Sequence, residues 1–287
     1  MGALGLTGIA LIAGSAGAVS AQERPYFITY NHQMEEPGSL EVGIRPVFGT
    51  QREGNSFVAA WTEIEYGVKG WWTSELYFSG QGTRNDSTLF TGYRWENRFR
   101  VLMHEHRINP VVYVEFESLN GADKTLLEVV GHDGESHHAD PNAATRGERK
   151  HEVEAKLILS SNIKGWNLSE NVIAEKNLSE DSWEFGYAVG VSRPLALAAR
   201  PDACTFCPEN FTVGVEVYGG LGEQGDFGLS RTSHYIAPLI SWSLPSGTTL
   251  SVSPSFGLNG HSHRFLLRLG ISHEFSGFGR SKGRSRQ

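Results

Sequence analysis

Glutamates recur at every second position in several short segments of this chain. Glu63 and Glu65, like Glu115 and Glu117, enclose a single apolar residue. Side chains two positions apart in a strand point to the same face, so each pair places two carboxylates side by side. The charged residues that follow this alternation form one predicted polar face: Glu63, Glu65, Glu75, Arg94, Glu115, Glu117, Glu152, Glu154, Lys156, Glu184, Glu216 and Arg268.

This polar face has two interpretations. If it encloses water, its excess of carboxylates favours the entry of cations. If Arg94, Lys156 and Arg268 instead pair with the glutamates across a narrow interior, the same residues brace a plugged interior. The sequence leaves both interpretations open.

A second set of reactive side chains lies between positions 132 and 140. It contains imidazoles and carboxylates that can ligate metals: His132, Asp133, Glu135, His137, His138 and Asp140. Their spacing matches no closed zinc motif, and the acidic and glycine neighbours are typical of a solvated loop. We therefore predict neither a metal site nor a cofactor.

The two cysteines, Cys204 and Cys207, form a CxxC motif. Haem attachment requires a following histidine, whereas Pro208 follows here. A redox role requires a thioredoxin-like fold, which the strand pattern does not provide. In an oxidising compartment we expect a local Cys204–Cys207 disulfide that tightens a long connection.

Strands must position all of these residues. The chain shows repeated period-2 alternation of apolar and polar residues, interrupted by clusters of Gly, Asn, Asp, Ser and Pro. We predict about twelve strands, over residues 39–48, 58–68, 72–80, 88–96, 111–119, 152–160, 167–176, 183–192, 211–218, 234–244, 249–258 and 265–275. The assignment of 167–176 is the weakest, because Glu170 falls on its apolar face.

The last of these strands has the clearest pattern. Leu267, Leu269 and Ile271 alternate with polar or small residues, and the strand closes on Phe275. Such a strand can meet lipid on one face and water on the other, which is the pattern of a membrane barrel. We predict that these four residues form the signal that the barrel assembly machinery reads.

The beginning of the chain is typical of an export signal. Residues 1–21 carry no charge and contain an apolar stretch that is too short to span a bilayer comfortably. No later segment is long and apolar enough either, so a membrane location would require a closed barrel. We predict a signal peptide over 1–21, a periplasmic segment over 22–38, a transmembrane barrel over 39–275 and a basic periplasmic tail over 276–287. A buried N-terminal helix is the alternative for the first segment.

Composition narrows the class of protein. Hydrophobic residues make up 39% of the chain, too few for a helical membrane protein, and the formal net charge is −7. Four basic residues lie in the tail after Phe275, so the rest of the chain is more acidic still. This balance argues against nucleic-acid binding.

The strand count predicts the topology. An even number of strands returns both termini to the periplasm, and the tryptophans then fall at the inner strand ends: Trp71, Trp72, Trp95, Trp166 and Trp242. Two inner connections, 97–109 and 193–210, are longer than this architecture usually allows. A soluble β-sandwich or lipocalin-like barrel also alternates and is the rival fold.

Several stretches carry a family resemblance. Residues 94–98 and 109–117 resemble uncharacterised Gram-negative outer-membrane barrels of the transporter-like type, which are grouped beside the "MetA-pathway of phenol degradation" family. Residues 175–177 and 272–275 are similar as well. The resemblance covers most of the predicted mature chain and implies a barrel that suggests transport, without naming a substrate.

These observations predict an all-β chain: a transmembrane, antiparallel, up-and-down barrel in the cell outer membrane. We expect a passive pore or transporter for small solutes, with outer-membrane lipid and the assembly machinery as partners. A non-conducting structural or interaction barrel is the alternative, and a lipid hydrolase a weaker one. A hydrolase needs a serine oriented by a histidine at the outer rim. Ser262 lies between His261 and His263, whose side chains point away from it in a strand, so we predict no enzyme activity.

Overall fold

The computed structural model of the protein describes residues 25–125, 140–179, 181–198 and 204–277. Within these ranges the regular secondary structure is almost entirely strand. The strands are β1 (Leu40–Thr50), β2 (Phe57–Lys69), β3 (Trp72–Thr83), β4 (Thr88–Arg100), β5 (Asn109–Asn120), β6 (Arg149–Ile163), β7 (Trp166–Asn177), β8 (Glu184–Pro194), β9 (Phe211–Glu223), β10 (Asp226–Phe227), β11 (His234–Ser243), β12 (Thr248–Gly257) and β13 (Phe265–Phe275).

The strands close into an antiparallel 12-strand barrel. Each barrel strand pairs with its neighbours in the chain, and β1 pairs with β13, where Leu40 lies opposite Phe275. The two-residue strand β10 pairs in antiparallel register with the last two residues of β9 and is not one of the twelve barrel strands. The predicted all-β, up-and-down barrel of about twelve strands is confirmed.

Helical structure is limited, in the described part of the chain, to one α-helical turn (Asn142–Thr145) and one 3-10 turn (Pro208–Asn210). No described helix has the length and apolar character that crossing a bilayer requires.

The two faces of the barrel wall have opposite character. The outward side chains Ile44 and Ile271 are each 50% exposed, whereas the inward Glu63 and Arg268 are 1% and 0% exposed. This is the reverse of a water-soluble protein, because the apolar side chains face out and the charged side chains face in. The predicted signal residues of β13 lie on the outward face: Leu267, Leu269, Ile271 and Phe275.

The connections differ between the two ends of the barrel. We call the end where the chain enters β1 and leaves β13 the near end, and the opposite end the far end. Tight turns join β2 to β3 and β6 to β7 at the near end, whereas the long connection between β5 and β6 lies at the far end. Both long near-end connections that the sequence predicts are present. They span 101–108 and 195–210 and are shorter than predicted, because β4 and β8 continue beyond their predicted ends.

The segment before β1 runs through the barrel interior. Residues 25–32 are all buried, and we call residues 25–36 the N-terminal strap. The sequence predicts a periplasmic segment over 22–38, and the structure instead packs most of this segment against the inner wall; residues 22–24 lie outside the described chain. The end of the strap passes close to Gly67 of β2. A Cβ atom added at Gly67 would come within 2.0 Å of the Glu36 carbonyl oxygen.

Candidate functional site

An unbroken row of glutamates winds around the inside of the barrel. Each glutamate is the direct cross-strand partner of the next, and we call this row the glutamate spiral. It begins at the near end on β13 and climbs to the far end on β9 because the strands are tilted: Glu274, Glu41, Glu65, Glu75, Glu96, Glu115, Glu154, Glu175, Glu184 and Glu223.

The positive charge of Arg98 on β4 compensates the carboxylates in one part of the spiral. Its guanidinium forms an ion pair with Glu65, lies 2.9 Å from Glu96 and lies 3.9 Å from Glu75. Directly opposed like charges destabilise a sheet, so a buried cation shared by three neighbouring carboxylates stabilises this sector. One step toward the far end, Arg45 pairs with Glu63 at 2.5 Å.

The sector formed by β5 to β8 is richer in carboxylates. Lys156 lies 2.7 Å from Glu154, and Arg94 lies 3.0 Å from Glu117. One carboxylate oxygen from each of Glu115, Glu117 and Glu154 lies within 4.8 Å of the other two. These two cations share the sector with the buried carboxylates Glu115, Glu117, Glu152, Glu154 and Glu175. The inner wall of this sector therefore holds more carboxyl groups than cationic groups.

The N-terminal strap is clamped by a single carboxylate on β9. The backbone N–H groups of Phe27, Ile28 and Thr29 all donate to Glu216, at 2.9, 2.9 and 2.7 Å. Glu216 is fully buried. Hydrogen bonds to a carboxylate are stronger than neutral ones, so this contact is a firm anchor.

Tyr30 of the strap lies directly on the glutamate spiral. Its hydroxyl donates to Glu96 at 2.7 Å, and its ring lies against the cations of Arg98 and Lys156 at 5.5 and 4.9 Å. The ring also meets Tyr113 edge-on at 5.0 Å. The strap therefore covers the middle of the spiral, where the compensated and the carboxylate-rich sectors meet.

The two ends of the buried strap are held by polar contacts near the near end. The hydroxyl of Tyr26 donates to Asn167 at 2.9 Å, and burial raises the pKa of this hydroxyl. His32 lies 2.8 Å from Ser160 and 3.0 Å from Glu105. Burial lowers the pKa of His32, and the neighbouring Glu105 opposes this shift.

Apolar and aromatic side chains fill the lumen beside the strap. Phe27 and Ile28 join a buried cluster that includes Trp61 and Tyr218. The guanidinium of Arg268 lies between those two rings, at 5.8 and 5.9 Å. This part of the interior is packed like a protein core.

Residues 121–125, the first described part of the connection between β5 and β6, lie in the far mouth. The backbone N–H of Lys124 donates to Gln81 at 2.8 Å, and the Lys124 carbonyl lies 2.8 Å from a ring nitrogen of His263. Burial lowers the pKa of the Lys124 side chain. At the near end, an open cleft remains between the strap and β12, β13, β1 and β2, and it is continuous with solvent.

The structure brings the predicted polar residues together on the inner wall, although Glu184 is only half-buried at the far end. The predicted polar face lacked Arg98 and Glu175, which belong to the same alternation. The alternation in β7 does not single out Glu175, because the same strand also carries Glu170 on its outward face. Asn171 was not predicted either, because its side chain binds the strap, and no strand pattern indicates that the strap lies inside the barrel.

The two cysteines and the candidate serine lie in connections between strands. Cys204 and Cys207 form a disulfide. At the far rim, the Ser262 hydroxyl donates to the backbone carbonyl of His234 at 2.8 Å, while the ring of His234 contacts Tyr187 and Leu229. Ser262 and His234 therefore do not form a nucleophile–base pair. The predicted signal peptide, the histidines of the 132–140 loop and the tail from residue 278 lie outside the described residues.

Comparison with known proteins shows the fold. No family model and no curated protein matches this chain. The COG4313 outer membrane channel from Pseudomonas putida F1 superposes with a TM-score of 0.52 at 12% identity, covering 85% of this chain and 98% of that one. NanC porin gives 0.48 at 10% identity, covering 82% and 98%. LpxR from Salmonella typhimurium gives 0.40 at 8%, covering 82% and 99%. At 12% identity, the likeness to the COG4313 channel shows a shared barrel fold and nothing further.

Proposed function

We propose that this protein is an outer-membrane channel for small cationic solutes and that the N-terminal strap holds it closed. The observation that carries this proposal is the glutamate spiral, which joins the two ends of the barrel along its inner wall. Directly opposed carboxylates destabilise a sheet, so a barrel that served only as a scaffold would be more stable without them. A path for cations accounts for their presence.

The way in which the strap is held supports the idea of a removable closure. Glu216 and Asn171 bind it through side-chain contacts, and the strap pairs with no barrel strand. It can therefore leave the lumen without breaking the hydrogen bonds that close the barrel. Its departure would join the near-end cleft to the carboxylate-rich sector.

Conductance in planar bilayers tests the proposal. Wild-type protein should conduct rarely, and Glu216→Ala should raise the open probability because three backbone N–H groups lose their acceptor. Glu170→Ala, on the outward face of β7 and outside both the strap contacts and the glutamate spiral, is the matched control. The current should prefer cations, and the preference should weaken at 1 M salt, where charges are screened beyond about 3 Å. Neutralising Glu115 and Glu117 together should reduce the preference.

A structural barrel without a conducting path is the second candidate. The packed cluster of Trp61, Tyr218 and Arg268 favours it, because these barrel side chains fill part of the lumen beside the strap. Folded Glu216→Ala protein that remains silent in the bilayer would support this candidate and contradict the channel.

Cellular location and partners form part of the same proposal. The apolar exterior supports contact with outer-membrane lipid, and the outward residues of β13 support recognition by the barrel assembly machinery. Membership of the group beside the "MetA-pathway of phenol degradation" family rests on the sequence resemblance.

A further inference from the structure

The long connection between β8 and β9 exposes apolar side chains at the near end. Leu195 and Leu197 are more than half exposed, and Phe206 is 73% exposed. Phe206 lies between the two cysteines of the Cys204–Cys207 disulfide. We call residues 204–207 the disulfide finger.

The disulfide finger is fixed against the outer wall of the barrel. Phe206 stacks on Trp242 of β11 with ring centroids 4.8 Å apart, and Trp242 stacks in turn on Phe211 at 5.5 Å. The indole N–H of Trp242 also donates to the Thr205 carbonyl at 2.8 Å. Trp242 faces outward, because its neighbour Ser241 is buried inside. Phe206 is therefore held in place while most of its ring has no protein cover.

The adjacent turn between β6 and β7 has a matching character. Ile163 and Trp166 are about half exposed, and the guanidinium of Arg193 lies over the Trp166 ring at 5.4 Å. Lys164 is exposed at the tip of the turn. Leu197 packs over Gly165, where a Cβ atom would lie 2.3 Å from the leucine methyl. The two connections thus form one patch in which apolar side chains are flanked by cations.

We propose that this patch inserts into the phospholipid leaflet at the near end of the barrel, with Phe206 as its tip. This inference rests on the proposed membrane location. The patch continues the apolar exterior of β9 and β11, so the material that covers those strands also reaches Phe206. Aromatic rings with flanking Lys or Arg suit the boundary between acyl chains and phosphate groups. The disulfide limits the freedom of the finger and keeps Phe206 in contact with Trp242.

Photo-crosslinking in phosphatidylcholine vesicles tests the proposal. The full chain would carry p-benzoyl-phenylalanine in place of Phe206, of Leu269 in the apolar band, or of Ser246 in the exposed near-end turn between β11 and β12. We expect lipid adducts by mass spectrometry at positions 206 and 269, and none at 246. Replacing both cysteines with serine should lower the yield at 206 several-fold and leave the yield at 269 unchanged.

The controls separate the failure of this inference from the failure of the membrane proposal. Lipid adducts at 269 with none at 206 would overturn the inference and leave the membrane barrel intact. Adducts of 206 to a second copy of the chain, without lipid, would also overturn it. Absence of lipid adducts at 269 would reject the membrane location and the inference with it. An unchanged yield at 206 in the cysteine variant would overturn the role given to the disulfide.

Discussion

The side-chain amide of Asn171 pairs with both backbone polar groups of Tyr30. Its oxygen accepts the Tyr30 N–H at 2.6 Å, and its nitrogen donates to the Tyr30 carbonyl at 2.9 Å. The amide thus replaces the peptide group that a neighbouring strand would supply. A strap with no strand partner can therefore remain buried inside the barrel.

Loss of this pairing should release the strap. Asn171→Ala removes both partners and leaves two buried backbone groups unsatisfied, each worth about 1–3 kcal/mol. We expect faster chymotrypsin cleavage at Tyr30 while the barrel strands stay protected. Asn97→Ala is the control, since Asn97 only binds the outward Trp72 indole. Equal cleavage of wild type and Asn171→Ala would mean that this pair does not hold the strap.

The same chemical change should have opposite effects at two points of the glutamate spiral. Glu96→Gln removes one of the charges that Arg98 shares, at 2.9 Å, and should lower the stability by about 1.5–3 kcal/mol. Glu175 lies opposite two other glutamates, so Glu175→Gln should leave stability unchanged or raise it by about 0.2–1 kcal/mol. Urea unfolding in vesicles measures both. Equal losses would contradict the uneven compensation of the spiral.

Acidification should loosen the strap through His32. Because burial lowers the pKa of His32, the folded state favours the neutral ring, whereas the released strap binds a proton at about pH 6.5. Docking is therefore strongest above that pH and weakens as the pH falls through it. The groups that face His32 are Glu105, Ser160 and Asn162, with Arg100 nearby.

The rate of cleavage at Tyr30, measured between about pH 7.5 and pH 5.5, checks this expectation. The rate should rise on acidification in the wild type and much less in His32→Gln. A pH response of equal size in both proteins would assign the effect to another group.

A charge on the outer wall should disturb insertion. Leu269 lies on the outward face of β13, opposite Val252 of β12. Leu269→Arg should cost roughly 2–4 kcal/mol if this position lies near the middle of the bilayer. Quantifying the protein in outer-membrane fractions would show the loss, with Leu269→Met as the conservative control. Unchanged levels of Leu269→Arg would count against the membrane assignment.

The sequence by itself determined most of the strands and which residues share a face of each strand. Alternation has a period of two because successive side chains leave a strand on opposite faces, so Glu63, Glu115 and Arg268 could be assigned to one polar face without a structure, and the closed barrel showed that this face points inward. The weakest strand, β7, could be placed within one residue at each end, although Glu170 on its outward face obscured the importance of Glu175.

Only the tertiary structure decided what the lumen contains. The strap has no alternation to reveal it, and its partners Asn171 and Glu216 lie more than a hundred residues further along the chain. The glutamate spiral likewise depends on the register between strands, which single-strand patterns do not encode. Local periodicity fixes the face of a residue, whereas contacts between distant segments depend on how the closed barrel aligns its strands and encloses the strap.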